Sequence, residues 1–289
     1  MGTLIVNADD FGLTAGVNRA IAELHRAGVV TSASLMACAQ ATGQALEMAH
    51  STPTLGVGCH VVLVDGEPVL PARELPTLVD PRTGRFFPTL GVFLRRLIAG
   101  RIRQAEIEAE AVAQISLLQS HDLELTHLDT HKHVHMFPAV LRPILRAARS
   151  AWIGAVRNPF EPAWSVRATP GAPWIRRAQV SLLRRLEPAF QRIVADEGFA
   201  TTEGALGVVA TGTLDAAAVA SLLSVMPVGT FELVCHPGYH DQDLEMLGTR
   251  LTASRETERE ALLLLRQLPQ VQLASFAALD AHAGSMPGK

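Results

Sequence analysis

The chain has 289 residues, 48% of them hydrophobic and 18% charged, with a formal net charge of −3. That is enough apolar material for a large core in one α/β domain or two small ones. Acids and bases are interleaved, so no basic face or stripe is available for nucleic acid, and the longest uncharged stretch, 27–46, is too rich in Thr, Ser, Gln and Gly to span a membrane.

The first strand-like run is LIVNAD (4–9), apolar and ending in carboxylates. Residues 15–27 carry helical spacing, SASLMAC (32–38) reads as a second strand, 43–51 as a helix, and LGVGCHVVLV (55–64) as a third strand. A Pro- and Gly-rich excursion follows, then a helix over roughly 101–120 whose Ile102, Ile107, Val112, Ile115 and Leu118 fall near one face. LELTHLDTH (123–131) reads as a fourth strand, and Pro138 sits early in the next helix, 138–149, where proline is tolerated. GAVRNP (154–159), GALGVVA (204–210), TFELVCHP (230–237) and VQLASF (271–276) are strand-like, while 175–196 and 250–267 are helical.

This βαβα rhythm predicts parallel strands joined by crossover helices. Seven or eight such units suggest a closed or nearly closed (β/α) TIM-like barrel. The reading is one domain over 1–289, with insertions at 65–100 and 159–174 and a frayed tail at 283–289. The opening MGTLIVNADD carries two aspartates and no basic leader, so no secretory signal is expected. Three scattered cysteines, Cys38, Cys59 and Cys235, suit a reduced, cytoplasmic setting. Cys59 and Cys235 read as buried bystanders rather than zinc ligands, since neither belongs to a CxxC pair.

THLDTHKHVH (126–135) holds His127, Asp129, His131, His133 and His135 at alternate positions. A fully extended backbone would stack all five on one face, a poor core and a plausible metal site. In parallel α/β folds functional groups collect at the carboxyl ends of strands. Six of the eleven histidines, at 60, 131, 133, 135, 236 and 240, fall at or just past such ends, as do Asp9 and Asp10. One Asp and two His from different strands would hold a catalytic divalent ion and leave a position for water. A second carboxylate could take the water proton, and a later histidine could protonate a leaving group.

NADDFG (7–12), GCHVVL (58–63), THLDTHKHVHMFP (126–138) and ELVCHPGYHD (232–241) resemble, in order, the blocks of the YdjC-type carbohydrate deacetylases, the ChbG/HpnK family of chitooligosaccharide and hopanoid-associated deacetylases. The resemblance spans most of the chain and is least diagnostic at 65–100 and 159–200. It implies a distorted barrel, a metal on Asp10, His60 and His131, Asp9 as general base and His236 as general acid. It implies hydrolysis of an N-acetyl group from an amino sugar, on a chitooligosaccharide or an acetylglucosaminyl glycolipid, and it allows a homodimer. The expected cofactor is one divalent ion, Zn2+ or Mg2+, with Co2+, Ni2+ or Mn2+ as further options: the His/His/Asp set suits zinc, while magnesium is often associated with the family although it usually prefers oxygen ligands.

Other readings stand beside these. Asp9-Asp10 could be a helix-capping turn, and His60 alone could be a satisfied core histidine. His127 reads as a core group low in the strand, and Asp129 as the group that orients a histidine. Phe11, His133 and His135 could line the substrate pocket or support the ligands; His133 and His135 could equally begin the next helix. Arg157 could clamp substrate, orient Asp9 or form a surface ion pair, and the roles of His240 and Asp241 stay open. The basic, amphipathic segment 173–190, flanked by Trp164 and Trp174, suits either peripheral membrane contact or an ordinary helix with its leucines packed inward. The alternatives for the whole chain are a hydrolase or isomerase acting on another sugar or amide, and a silent metal- or carbohydrate-binding protein.

Overall fold

The computed structural model describes residues 2–169, 171–267 and 271–280; the tail at 283–289, expected to fray, lies outside them. The elements run β1 (Thr3–Phe11), α1 (Ala15–Arg26), β2 (Ser32–Leu35), α2 (Thr42–His50), β3 (Gly56–Val61), α3 (Leu90–Ile98), α4 (Gln104–Gln119), β4 (Leu128–Thr130), α5 (Pro138–Ser150) and α6 (Ala163–Ala168). They continue α7 (Trp174–Leu183), α8 (Glu187–Asp196), β5 (Ala205–Leu206), α9 (Ala216–Ser224), β6 (Thr230–Cys235), α10 (Gln242–Met246), α11 (Ser254–Leu263), β7 (Gln272–Ala274) and α12 (Ala277–Asp280).

All the strand pairs are parallel, in the order β4-β3-β2-β1-β6-β5. β1 is long enough to serve two neighbours on one side. Its first residues, Thr3–Ile5, pair with β7, and from Asn7 onward it pairs with β2. The sheet curls into a half-barrel with helices outside. Single parallel bridges, Leu128 to Val156 and Ala155 to Ala200, carry the remaining arc between β4 and the β5 segment.

Several expected strands are therefore shorter than their apolar runs. GAVRNP makes only these bridges, because Pro159 lacks an amide N–H to continue a ladder. GALGVVA pairs over Ala205–Leu206 alone and leaves the sheet at Gly207, whose φ of 85° suits glycine. The expected helix over 175–196 breaks into α7, a 3-10 turn and α8, with Pro188 in the first turn of α8.

α4 differs from its apolar reading too. Ile107, Ile115 and Leu118 are buried, but Val112 is exposed and Ile102 precedes the helix. The buried face carries Glu106, Glu110 and Gln114 instead. Glu110 accepts hydrogen bonds from the Val69 and Leu70 amides (2.8 and 3.0 Å), and Glu106 from those of Thr77 and Leu78 (2.8 and 3.1 Å). Buried acids thus replace apolar contact because they satisfy the backbone of an irregular segment that has no ladder of its own.

The apolar core lies between sheet and helices. The concave side of the sheet is polar: Asn7, Asp9, Ser34, His60, His127, Asp129, Arg157 and Glu232 are all buried and bonded to one another. At its floor the His127 ring stacks on Phe276, with centroids 4.0 Å apart. Gly58 makes room for that ring, since a Cβ there would lie 2.4 Å from His127 Cε1. Gly58→Ala is expected to lower stability by about 1–3 kcal/mol through overpacking; an unchanged urea midpoint would show that the ring can step aside.

Candidate active site

The site lies at the carboxyl ends of β1, β3, β4 and β6. Neighbouring residues of a regular strand face opposite ways, yet Asp9 and Asp10 both reach this end of the sheet's concave side. The β1–β2 register shifts between Ala8 and Phe11, and Asp10 takes a left-handed φ of 63°. The turn is fixed by Asn18, whose Oδ1 accepts from the Gly12 amide at 2.7 Å. Asp9–Asp10 thus ends in a bulge rather than the helix cap; Thr14 caps α1.

The five-residue alternating face of 126–135 does not form. β4 stops at Thr130, and Lys132 and His133 adopt φ of 59° and 53°, conformations closed to a continuing strand. Thr130 Oγ1 accepts from the His135 amide and holds the turn closed. His131 is left at the mouth. His135 turns inward and is fully buried, its Nδ1 2.7 Å from Thr130 Oγ1 and its Nε2 3.2 Å from the Arg157 carbonyl. It therefore offers nothing to a substrate. His133 stays partly exposed with a buried Nδ1 that has no partner, and burial pushes its pKa down to about 3.

Around Asp10 Oδ1 stand His131 Nδ1 at 3.3 Å and His60 Nε2 at 3.7 Å, with the two rings nearly perpendicular. Ligand atoms of these three residues lie within 4.8 Å of one another. Asp10 Oδ1 is buried and accepts no hydrogen bond, a costly state for a carboxylate oxygen unless a cation meets it. His60 Nδ1 lies 2.7 Å from Asp129 Oδ1. An ionised carboxylate only accepts, so Nδ1–H donates and Nε2 points to Asp10 as a potential ligand. These residues fit a divalent ion with mixed N and O donors.

A second cluster, Asp9, His60 and Asp129, has similar spacing but does not fit. The Arg157 guanidinium already occupies it. Its Nη1 and Nη2 donate to Asp9 at 2.8 and 2.5 Å, Nη1 also reaches Asp129 Oδ2 at 2.5 Å, and Nε donates to Glu232 at 2.8 Å. Arg157 is fully buried, which rules out the surface ion pair. Burial pushes Asp9 up, but Arg157 overrides it and holds the carboxyl below its ordinary value. Glu232 comes off worst among three acids sharing one guanidinium: burial raises it to about 7 despite Arg157.

A carboxyl with its pKa raised in the fold stabilises the protein below its unfolded value of 4.5, and that contribution is lost as the pH climbs through about 7. Glu232→Gln is therefore expected to remove a decline in stability across that window. Melting temperatures of both proteins from pH 4 to 8 would check this, and parallel curves would sink it.

His236 follows β6, with Nε2 3.9 Å from Asp9 Oδ2. Its amide donates to Glu258 Oε2 at 2.6 Å, and its Nδ1 lies 3.8 Å from the same oxygen. Burial lowers its pKa, but the Glu258 carboxylate overrides this and raises it.

The remaining candidates lie elsewhere. Phe11 is buried in the apolar core and makes no substrate surface; its packing supports the turn after Asp10. His127 bonds Ser34 and Thr126. Asp241 caps α10, and His240 pairs with Glu245 away from the centre. Cys59 and Cys235 are buried and belong to neither metal-type cluster.

Three participants escaped the sequence reading. Glu232 was an acid inside an apolar strand, which was a visible anomaly. Arg255 and Glu258 stand three residues apart on α11, a spacing that shares a helix face, but nothing local tied them to residues 9–10 or 236. Arg255 Nη2 donates to Asp10 Oδ2 at 2.6 Å; burial pushes Asp10 up, and Arg255 brings it well below its ordinary value.

Fold and centre together define a class: a curled parallel α/β sheet with an Asp-His-His metal-type cluster at its strand ends. The chain belongs to the YdjC-like protein family, whose pattern matches residues 3–266. It is 28% identical over 264 residues to a carbohydrate deacetylase of Thermoanaerobacter pseudethanolicus, covering 91% of each chain. It is 43% identical over 157 residues to a carbohydrate deacetylase of Brevibacillus brevis, covering 54% of this chain and 59% of that one, so this match spans about three fifths of the relative. A chitooligosaccharide deacetylase of Salmonella schwarzengrund is 40% identical over 147 residues, 50% of this chain and 55% of that one. Among solved structures, a protein of Enterococcus faecalis V583 named for cellobiose-phosphate cleavage superposes with a TM-score of 0.76 at 26% identity, covering 96% and 98% of the two chains.

Proposed function

We propose that this protein is a divalent-metal-dependent hydrolase that removes the N-acetyl group from an acetylated amino sugar, releasing acetate and a free amine. The observation that carries the reading is the unbonded Asp10 Oδ1 facing His60 and His131, with Asp9 and His236 alongside. The names of the relatives support the substrate class. Two nitrogens and one carboxylate favour zinc, with cobalt, nickel and manganese next and magnesium least suited. A bound ion would supply Lewis acidity, polarising the amide carbonyl and acidifying water.

The protein's own groups do the rest. Asp129 fixes the tautomer of His60. Asp9, kept ionised by Arg157, accepts the proton of the attacking water. His236, whose pKa Glu258 raises, gives a proton to the leaving nitrogen. His133, neutral and partly exposed at the mouth, contacts the sugar.

The oligosaccharide is the first choice of substrate and a glycolipid the second. One observation favours the latter: α7 buries none of its residues and exposes Trp174, Ile175 and Leu182, as a helix resting on lipid would. Among the described residues no helix is long and apolar enough to cross a membrane. Acetate release from chitobiose, a longer chitooligomer and an acetylglucosaminyl lipid in vesicles, with metal-stripped protein resupplied with zinc, cobalt, manganese or magnesium, tests all of this. Metal-dependent release from any of the three supports the reading, and its member names the branch. Equal release without metal overturns it.

A further inference from the structure

Arg255 is a cation placed where a metal centre would ordinarily exclude one. It comes from α11, 245 residues away from Asp10 in the chain, and is 1% exposed. Its position is over-determined. Nε donates to the Leu251 carbonyl at 3.0 Å, and its own carbonyl accepts from the Gly238 amide at 3.3 Å. Gly238 also leaves space for the stem, since a Cβ there would lie 3.0 Å from Arg255 Cδ. From this seat Nη2 reaches Asp10 Oδ2 at 2.6 Å, while Nη1 is buried without a partner.

The two oxygens of Asp10 are thereby made unequal. Oδ2 is held by a guanidinium, and Oδ1 is free and faces both histidines. A carboxylate left to itself can offer both oxygens to one ion, as it often does to large, oxygen-seeking cations. Here the second oxygen is taken, and the charge that takes it repels an ion on that side. We propose that Arg255 is a positioning residue that restricts Asp10 to a single-oxygen ligand and so biases the centre toward small, nitrogen-accepting ions. The proposal rests on the metal reading above.

The test is metal affinity, independent of turnover. Zinc and manganese dissociation constants are measured by competition with a chelating dye for the wild type, Arg255→Met, Arg255→Gln and Arg255→Lys. Methionine keeps much of the stem and removes the guanidinium. Freeing Oδ2 adds an oxygen ligand, so the preference for zinc over manganese is expected to fall about tenfold or more, the scale on which outer-sphere partners act. Lysine, which keeps the charge, is expected to recover most of that preference. Glutamine removes the charge but keeps an amide that can donate to Oδ2, so it is expected to fall between methionine and wild type, and it carries the test if a thermal melt shows that Arg255→Met does not fold.

An unchanged zinc-to-manganese ratio in the folded variants overturns the proposal, and so does a rise of both affinities by one common factor, because that is charge relief without any change of ligand mode. If the wild type binds neither ion, the metal reading fails and takes this proposal with it. Binding by the wild type with no change in ratio among the variants removes this proposal alone.

Discussion

Asp9→Asn is expected to lower turnover by about 100- to 10,000-fold, the span of a lost general base, while zinc affinity stays near that of the wild type. Asparagine keeps nearly the same volume and one oxygen for the Arg157 guanidinium, while its NH2 replaces the acceptor of the other guanidinium N–H, a local cost that a thermal melt reads separately from turnover. What it loses is the capacity to accept a proton. The separation of the two readouts matters, because Asp10 is the adjacent residue. Replacing Asp10 removes the oxygen that faces His60 and His131, and should abolish metal binding and turnover together. An Asp9→Asn protein with full activity would move the base role elsewhere; one that has also lost zinc would place Asp9 among the groups that shape the metal cluster.

The neighbours of Asp9 explain how it could act as a base with a lowered pKa. Arg157 keeps it ionised and fixed, so that little rearrangement would be needed for it to take a proton in the proposed reaction. In the proposed mechanism base strength would be given up for orientation, and a bound ion would have to acidify the water for so weak a base to take its proton.

Helices were the most legible part of the fold. α1, α2 and α5 lie within a residue or two of their apolar periodicity, because each buries one stripe against the sheet. Long strands with continuous apolar runs, β1, β3 and β6, were legible for the same reason. The far arc of the barrel was not. Residues 154–158 and 204–210 have strand-like composition, yet neighbouring prolines and the left-handed Gly207 reduce them to bridges and a two-residue pair.

The histidine run shows where periodicity fails at a functional centre. Alternation of side chains holds only while the backbone stays extended. Two left-handed residues, Lys132 and His133, end it one residue after His131. Such conformations are unfavourable for residues with a Cβ and persist where the surroundings enforce them. Here the enforcing contacts are Thr130 to His135 and Lys132 to Asp65, the latter at 2.7 Å. The blocks that resemble the family lie as far apart as 7–12 and 232–241, and they meet because parallel strands bring their carboxyl ends to one side. The charged partners of those blocks, Glu232, Arg255 and Glu258, are set by tertiary packing and leave little trace in local pattern.

The largest stability effect is expected at Arg157. Arg157→Leu would leave Asp9, Asp129 and Glu232 buried with only the imidazoles of His60 and His236 beside them, at a cost of about 3–5 kcal/mol or more, as when one member of a buried ion cluster is removed. The loss should depend on pH in a defined sense. Burial raises Asp9 and Asp129, and in the wild type Arg157 more than offsets this, placing both below the ordinary 3.8. Groups with depressed pKa stabilise above their unfolded value and lose that contribution as the pH falls through the folded one. Without Arg157 these carboxyls take up protons more readily in the fold, so the gap between variant and wild type should be widest at neutral pH and narrow as the pH drops toward 4. Urea denaturation of both proteins at pH 7 and near pH 4 measures the gap directly. A loss below about 1 kcal/mol, the scale of exposed pairs, or a gap that widens in acid, would mean that the three carboxyls are neutralised by one another's protons rather than by Arg157.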